Sequence, residues 1–536
     1  MKADKFKKEI LKDHRAGMSV ESLHVKYSLH QTTLRKALTA WGETITNHKG
    51  INGHNKKEKS IEDPKAGIQP EQVKDRKRFV VTSALNNCDV HSSFLKSIQT
   101  YCKEHQAELL VIPVAYKNIS LYGAEYEPVW PSELEPYYVT KDVELSSNIV
   151  IMGSMRIQAT AARPLQGTHG ISKGKSAVFG HPRLALETVP VPMNNMPLVY
   201  MTSCTISKPS YSNTKAGRLG EFHHDIGATI IETDGELFWW RHIHPDKFGS
   251  FIDIASQYGP DGSVFPAPPA EAVIVGDVHV GFDNPATVES ILGRLVKRTN
   301  SKNVVLHDLL DFFSGSHHHT NNHILRVLKA ARGRNDVHRE LKSVASWLDK
   351  YCKEGTQYHI IRSNHHDHLD KWLNNNSANI EAENLWLWHH LNAQQMRIAL
   401  DIAHDSAKQT KWGVPSAFEL AMSVLTEGKT REKFRFQDDK SPLEFSGIDC
   451  SNHGDKGPNG SRGSRSAFSR VQRKTFIGHS HSPGIHDGCY QVGKSSVNEA
   501  YLGGYSSHLQ CSGIIYADGS RSLLPIIYGR CYMGDV

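Results

Sequence analysis

Five short polar motifs constrain the fold of this chain more than any other feature of its sequence. Four of them directly follow the apolar runs 272–275, 303–306, 358–361 and 475–477, which have the length and composition of buried β-strands. The remaining motif, 450–455, contains His453. Open α/β sheets build their sites from side chains at the carboxyl ends of strands. The pattern therefore predicts an α/β fold in which Asp, His and Asn side chains meet at one site.

The motifs read G-D-V-H at 276–279, H-D-L-L-D at 307–311, R-S-N-H-H-D at 362–367, C-S-N-H-G-D at 450–455 and G-H-S-H-S-P at 478–483. Their order resembles the D-x-H, G-D-x-x-D, G-N-H-D, lone His and G-H-x-H signature of the calcineurin-like metallophosphoesterases. The resemblance covers about residues 271–484. It implies a β-sandwich flanked by helices and a hydrolase acting on ester bonds of phosphate.

The resemblance also implies a set of ligands for two divalent metal ions. The first ion would take Asp277, His279, Asp308 and His481, and the second would take Asp308, Asn364, His453 and His479, with Asp308 as the bridge. Mixed nitrogen and oxygen ligands without thiolate suit Mn²⁺, Fe²⁺ or Zn²⁺, and Mn²⁺ is the expected ion. Two such ions clamp an in-line phosphoryl displacement. His365 matches the motif histidine that is not a ligand, and we expect it to protonate the leaving oxygen.

The same resemblance implies roles for neighbouring residues. Asp311 is expected to orient a ligand from behind, and either His366 or Asp367 could be the partner of His365. His307 and Ser363 stand where the family has glycine, and neither is expected to bind metal. The run 317–319 could reach the phosphate or could be a surface histidine run, so it is left outside the ligand set.

The basic charge of the chain is concentrated at its N-terminus. Residues 1–80 carry 18 Lys and Arg against 10 Asp and Glu, whereas the rest carries 45 against 46. Helices are predicted at 3–17, 20–27 and 31–41, and residues 1–45 resemble a helix-turn-helix module of the resolvase and transposase kind. Its DNA-contacting residues would be Gln31, Thr32, Thr33, Arg35 and Lys36. A small module that contacts protein is the alternative.

The rest of the chain divides by composition. Residues 46–76 are polar with Gly, Pro and Lys, and are predicted to be a linker. Residues 77–260 begin with a β-α-β pattern and are predicted to form an extra α/β domain, a scaffold or oligomer contact. Residues 270–536 carry the motifs and are the expected catalytic domain.

Two features favour DNA among the phosphoesters that this family hydrolyses. One is the basic N-terminus. The other is the segment 455–474, which holds six Lys and Arg against one Asp and is predicted to be a flexible loop that grips a phosphate backbone through Lys456, Arg462 and Arg465. A solvated charged loop is the alternative. The nearest relatives by resemblance are the SbcD-like DNA nucleases, including phage-encoded enzymes that degrade host DNA. A phosphoprotein or nucleotide phosphatase with a protein-docking N-terminal module is the alternative function.

Other classes of protein do not fit the sequence. No apolar run reaches the length of a membrane helix, and no secretory signal is present, so we expect a protein of the cytoplasm, of the host if phage-encoded. Eight cysteines without a C-x-x-C pair argue against a disulfide scaffold. No P-loop is present, so cleavage without ATP is expected. By analogy with the family, a homo-oligomer of two or more copies is expected.

Overall fold

The computed structural model describes residues 2–16, 18, 20–43, 63–116, 128–193, 195–319, 321–375, 380–404, 413–426, 429–438, 441–497 and 503–534. The chain divides into two compact units, Met1–Glu62 and Asp63–Val536. Among the described residues, no helix is both long and apolar enough to cross a membrane.

The first unit contains three α-helices in its described part, α1 (Lys7–Arg15), α2 (Val20–Tyr27) and α3 (Gln31–Ala40), after a 3-10 turn at Lys2–Phe6. Their apolar side chains form one small core, to which Ile10, Leu23 and Leu34 contribute. Ser28 turns the chain between α2 and α3 with a φ of 50°. The second and third predicted helices are confirmed, and the first is α-helical only over Lys7–Arg15, because its beginning is a 3-10 turn. The assignment of this unit as a DNA-binding helix-turn-helix stays a prediction.

The second unit contains three larger sheets in the part of the chain that the structure describes. The four-stranded sheet has the order Phe238–Ile243, Ala228–Thr233, Arg78–Leu85, Glu108–Val114. The six-stranded sheet has the order Phe434–Gln437, Gln357–Ile361, Asn303–Leu306, Ala272–Val275, Cys511–Ile515, Arg521–Pro525. The ten-stranded sheet has the order Glu444–Phe445, Ile448–Asp449, Lys474–Ile477, Cys489–Gln491, Gly484–His486, Ala185–Val189, Leu198–Thr202, Ser176–Phe179, Ile149–Ile151, Val143–Ser146.

Shorter strands and the helices complete the second unit. The short strands are Phe251–Asp253, Ser256–Tyr258 and Val264–Pro266, and the pair Val191–Pro192 with Tyr505–Ser506. The α-helices are Ser92–His105, Lys215–Phe222, Pro285–Val288, Val296–Arg298, His323–Ala331, Val337–Tyr351, Asn364–Asn375, Leu385–His404, Ala417–Leu425, Lys429–Lys433 and Arg465–Phe468. A π-helical turn spans Glu289–Leu295, and 3-10 turns span Pro70–Val73, Ser132–Tyr137, His317–His319, Ala382–Asn384 and Pro458–Gly460.

The six-stranded and ten-stranded sheets pack against each other. Ile274 and Val305 of the first share one apolar cluster with Phe476 and Tyr490 of the second. At Gly513 the two layers come so close that a β-carbon would lie 2.5 Å from the Phe476 ring, so only glycine fits there. Alternate side chains on the same strands face the other way and pack on helices in a second cluster. The described residues therefore form a mixed α/β structure with two stacked sheets.

The segments 77–260 and 270–536, expected as separate domains, share one sheet. Ile485 and His486 pair with Leu186 and Ala185 in the middle of the ten-stranded sheet. Composition could not reveal this pairing, because it joins strands about 300 residues apart. The predicted β-α-β start of the first segment is confirmed, since Arg78–Leu85 and Glu108–Val114 are parallel neighbours.

Part of the predicted linker is also folded. Residues 63–76 belong to the second unit, where Ile68 and Val73 are buried against the core. These two apolar side chains pull a polar-looking segment onto the body of the protein. Residues 46–62 of the predicted linker lie outside the described residues.

Candidate metal centre

The motif side chains meet because the strands before them end at one edge of the two stacked sheets. In the six-stranded sheet, Asp277 follows Ala272–Val275 and Asp308 follows its parallel neighbour. Asn364 begins the helix that leaves the next parallel strand. In the ten-stranded sheet, His453 follows Ile448–Asp449, and His479 and His481 follow Lys474–Ile477, which is parallel to it. The predicted ligand side chains are therefore positioned by the carboxyl ends of strands.

One half of the centre joins Asp277, His279 and His481. The Nε2 atoms of the two histidines lie 3.0 Å apart. Nε2 of His481 lies 3.2 Å from Oδ2 of Asp277. These three side chains can offer one ligand atom each to a single metal ion. They were predicted to serve the same metal.

The other half joins Asp308, His453, His479 and Asn364. Oδ2 of Asp308 lies 3.1 Å from Nε2 of His453 and 3.8 Å from Nε2 of His279. Nδ1 of His479 lies 3.1 Å from Oδ1 of Asn364. Asp308 thus stands between the two halves, the position that a bridging carboxylate requires. All seven side chains of the predicted ligand set lie together.

The donor atoms fit divalent cations. Oδ1 of Asp277 and Oδ1 of Asp308 are buried and make no hydrogen bond within the described structure. Buried polar atoms normally find a partner, and burying charged groups without one costs several kcal/mol. Unpartnered carboxylate oxygens that converge on one place with imidazole nitrogens are suitable ligands for a cation of the Mn, Fe or Zn type.

The electrostatics of the cluster also point to a cation. Burial raises the pKa of Asp277, but His453 and His481 oppose it and lower that pKa to about 2. Burial lowers the pKa of His453, whereas Asp308 and Asp277 raise it to about 9. The carboxylates are thus held ionised and draw positive charge onto the imidazoles. Bound cations would supply that positive charge and leave the imidazoles neutral as ligands.

The backbone at the centre adopts conformations that most side chains avoid. His279, Asp308, His479 and His481 have φ values of 49°, 43°, 77° and 58°. Each left-handed residue costs on the order of 1–3 kcal/mol, and such residues concentrate at functional sites. The residue before His479 has to be glycine, because a β-carbon at Gly478 would lie 2.4 Å from Oδ1 of Asp277.

Asp311 lies behind a predicted ligand. Its Oδ2 is 3.0 Å from Nδ1 of His279, which is within ion-pair distance. Both side chains are buried. A proton held on Nδ1 leaves the Nε2 lone pair of His279 pointing at the metal position, which is the orienting role predicted for Asp311.

The partner of His365 differs from both candidates. Nδ1 of His365 donates to the backbone oxygen of Asp311 at 2.6 Å. His366 is instead buried and stacked on Phe418. The carboxylate of Asp367 accepts from Nε of Arg362 at 2.6 Å and from Nζ of Lys456 at 2.8 Å. The expectation that His366 or Asp367 pairs with His365 was wrong, because the helix starting at Asn364 turns their side chains elsewhere.

His365 itself faces the centre. The centroids of the His365 and His279 rings lie 4.7 Å apart. His365, His279 and Asp308 each have a potential ligand atom within 4.8 Å of those of the other two. A carbonyl oxygen only accepts, so the bond to Asp311 places a hydrogen on Nδ1 of His365. Its Nε2 is therefore the atom that can bind or release a proton.

His307, which was not expected to bind metal, lies beside a predicted ligand. It is buried, and its Nδ1 lies 3.2 Å from Nδ1 of His453. Burial lowers the pKa of His307 to about 4, so the ring is neutral at pH 7 and can accept a hydrogen bond from His453. That bond would free Nε2 of His453 for metal. The signal in the sequence was a histidine in place of glycine beside the bridging Asp308.

A cleft opens beside the centre at His479. Its volume is about 790 Å³. Arg163, His169, Arg462 and Arg465 are among the residues that line it. The segment 77–260 thus contributes to the surroundings of the predicted centre, which its sequence did not indicate.

The basic loop 455–474 is folded, contrary to expectation. Lys456 pairs with Arg462 in a β-bridge, and a short helix spans Arg465–Phe468. Arg465 is partly buried and donates from Nη1 to the backbone oxygen of Ser482 at 2.9 Å. Lys456 forms an ion pair with Asp367 at 2.8 Å. Arg462 is exposed at the cleft. Alternating Gly and Ser suggested flexibility, but buried Ala467 and Phe468 anchor the loop.

The predicted DNA-contacting residues of the first unit lie on α3. Thr32, Arg35 and Lys36 are exposed, and Gln31 and Thr33 are half-buried. Leu34 and Leu38 on the opposite side of α3 are buried in the core of that unit. The helix thus presents a polar, basic face.

The chain is similar to a phage protein. The chain is 28% identical to Protein A1 of Escherichia phage T5 over 481 residues, which are 87% of this chain and 84% of that protein. The similarity fits a protein of phage origin. No protein-family model and no solved structure matches the chain.

Proposed function

We propose that the chain is a two-metal-dependent DNA nuclease that hydrolyses phosphodiester bonds. One observation carries this proposal: Asp308 lies between two groups of buried histidine and carboxylate ligands, 3.1 Å from His453 and 3.8 Å from His279. A single carboxylate shared by two nitrogen- and oxygen-rich half-sites is the arrangement of dinuclear phosphoesterases. We further propose that the two stacked sheets are the calcineurin-like sandwich that the motifs resemble.

The residues of the chain would divide the reaction between them. Asp277, His279, Asp308 and His481 would hold one cation, and Asp308, Asn364, His453 and His479 the other. When bound, a pair of Mn²⁺-class cations supplies polarisation of the phosphoryl group and a nucleophile at neutral pH. Attack on phosphorus breaks the bond to a sugar oxygen, the 3′ or the 5′ oxygen. His365 would protonate that oxygen from Nε2, because its Nδ1 is fixed on the Asp311 carbonyl.

The surroundings of the centre favour a polyanionic substrate. Arg163 and Arg462 are exposed and both line the cleft that reaches His479, where they can contact phosphate groups of a bound strand. The first unit adds the basic face of α3, with Arg35 and Lys36 exposed. We propose that this unit binds DNA through a helix-turn-helix and adds affinity that depends on salt.

The similarity to a phage protein supports a phage-encoded enzyme. For such an enzyme we propose host DNA as the substrate and the host cytoplasm as the place of action. We also propose cleavage without ATP and a homo-oligomeric assembly. None of these four points is needed for the metal chemistry.

A comparison of substrates tests the proposed function against a phosphatase. Purified protein with Mn²⁺ is given plasmid DNA, linear duplex and single-stranded DNA in one series and a chromogenic phosphomonoester in another. We expect kcat/KM to be far higher for DNA than for the phosphomonoester. The reverse order would contradict the nuclease and favour the phosphatase.

A His365→Gln variant tests the assigned proton donor. Because His365 is not in the ligand set, we expect the variant to bind the same amount of Mn²⁺ as the wild type while its rate falls by about 10²–10⁴-fold. An unchanged rate would remove His365 from the reaction. A loss of bound metal would make it a ligand instead.

A further inference from the structure

Three histidines outside the dinuclear ligand set come together beside it. His317 and His318 lie in the 3-10 turn after the second motif, and His368 lies in the helix Asn364–Asn375. Each can offer one ring nitrogen, and these nitrogens lie within 4.8 Å of one another. The rings of His317 and His318 are 3.9 Å apart, and those of His317 and His368 are 5.1 Å apart.

The cluster is assembled from two distant parts of the sequence. His368 follows Asn364 by four residues, so both lie on one side of the same helix, one turn apart. This turn brings His368 to the 317–319 segment, about 50 residues earlier in the chain. A surface histidine run alone would not explain a third imidazole arriving from another element.

The neighbouring His319 takes no part in the cluster. Its ring packs on Phe313, with the ring centroids 5.0 Å apart, and its Nδ1 lies 3.5 Å from Nζ of Lys329. The run of three histidines is therefore split by the structure. Two of them converge on His368, and the third points to a different set of neighbours.

The three imidazoles are suited to binding a cation. Burial and the nearby His365 and Lys371 lower the pKa of His368 to about 4, so its ring is neutral at pH 7. Burial, His318 and Lys371 also lower the pKa of His317. Neutral imidazoles offer lone pairs, which protonated ones do not. His317 and His318 are exposed, so an ion can reach them from solvent.

We propose that His317, His318 and His368 form a third metal site, which binds a late first-row divalent cation such as Zn²⁺. Three imidazoles without a carboxylate favour Zn, Co, Ni or Cu over Mg or Mn. The site would therefore prefer other metals than a site with many oxygen ligands does. Zn–N bonds of about 2.0–2.1 Å place tetrahedral ligands about 3.3 Å apart. The ring nitrogens now lie within 4.8 Å of one another, and small side-chain rotations would bring them to that spacing. Water would complete the tetrahedron.

The third site shares no ligand with the dinuclear centre but lies next to it. The rings of His368 and His365 are 5.2 Å apart. A cation on the three histidines therefore adds positive charge beside the side chain that we propose as proton donor. The site does not depend on the nuclease activity, since the three imidazoles are present whatever the substrate is.

Zinc binding to four full-length proteins tests the site. Wild type, His317→Ala/His318→Ala, His368→Ala and the matched control His319→Ala are dialysed against buffered Zn²⁺, and bound zinc is measured by elemental analysis. We expect the double variant and His368→Ala each to bind one equivalent fewer than wild type. His319→Ala should bind as much as wild type. Co²⁺ should show a tetrahedral absorption band that is lost in the same two variants.

The same series in an Asp308→Ala background separates this site from the dinuclear centre. The one-equivalent difference should persist there, even though the dinuclear centre has lost its bridge and whether or not the chain cleaves DNA. Equal zinc in wild type and in both cluster variants would overturn the third site. An equal loss in His319→Ala would also overturn it, because zinc would then follow the histidine run and not the cluster. Thermal melting confirms that each variant is folded.

Discussion

Replacing Asp311 by Asn tests how the centre is positioned. Oδ2 of Asp311 lies 3.0 Å from Nδ1 of His279, and both side chains are buried. Asn has nearly the same shape but no charge, and its NH2 group can turn toward Nδ1, where it donates a hydrogen bond and cannot accept one. His279 would then lose the partner that fixes its tautomer and ring orientation. The size of the side chain and the set of metal ligands would stay the same.

The expected effect follows from what such outer partners contribute to metal binding. Loss of a partner behind a histidine ligand weakens metal affinity by about 10–100-fold, or roughly 1.4–2.7 kcal/mol. Both groups are buried, so water cannot replace the lost contact and the upper half of that range is expected. Calorimetric titration with Mn²⁺ measures the dissociation constant directly. DNA cleavage at limiting Mn²⁺ should fall in proportion and recover at high Mn²⁺.

Asp367→Asn is the matched control. Its carboxylate contacts Arg362 and Lys456 and no predicted ligand, so metal affinity should stay within about twofold of wild type. Unchanged affinity in Asp311→Asn would refute the positioning argument. Equal weakening in both variants would refute it too, since a general loss of negative charge would then explain the effect.

Three further outcomes are expected. Gly478→Ala should lower the free energy of unfolding by about 1–3 kcal/mol and reduce bound Mn²⁺, because its β-carbon would lie 2.4 Å from Oδ1 of Asp277. A β-carbon at Gly503 meets open space, so Gly503→Ala should behave as wild type in thermal melting and metal analysis. Deleting residues 1–62 should weaken DNA binding and flatten its dependence on salt, and an unchanged salt slope would argue against DNA contact by that unit. Burial lowers the pKa of His242 to about 3, so the unfolded chain takes up a proton below pH 6.5 that the folded protein excludes. The free energy of unfolding should therefore fall as the pH drops from 6.5 toward 3. Measured by urea unfolding, His242→Gln should lose up to about 2 kcal/mol less of this free energy than wild type between pH 6.5 and 5. Equal losses in the two proteins would contradict the lowered pKa.

Local pattern was enough to predict the elements that carry the centre. The strands Ala272–Val275 and Asn303–Leu306 end where the apolar runs end, because a short apolar run bounded by polar residues has few other ways to be buried. Side chains just beyond parallel strand ends must lie near one another, so the meeting of Asp277 and Asp308 followed from the same pattern.

Contacts between distant segments could not be predicted in this way. The pairing of Leu186 with Ile485 depends on how two sheets fit together, and neither strand alone reveals its neighbour. Asp367 follows His365 by only two residues, yet helical geometry turns it toward Lys456 instead. The fold of the basic loop depends on the burial of Phe468, a single apolar side chain in a polar segment.

Metal-dependent cleavage by wild type and Asp308→Ala tests the central claim most directly. Supercoiled plasmid and linear duplex are incubated with each protein in Mn²⁺ or in EDTA, and bound metal is measured on the same preparations. The account predicts that wild type degrades DNA in Mn²⁺ only, and that Asp308→Ala loses both bound metal and cleavage. Intact DNA with metal-loaded wild type, or undiminished cleavage by Asp308→Ala, would contradict it.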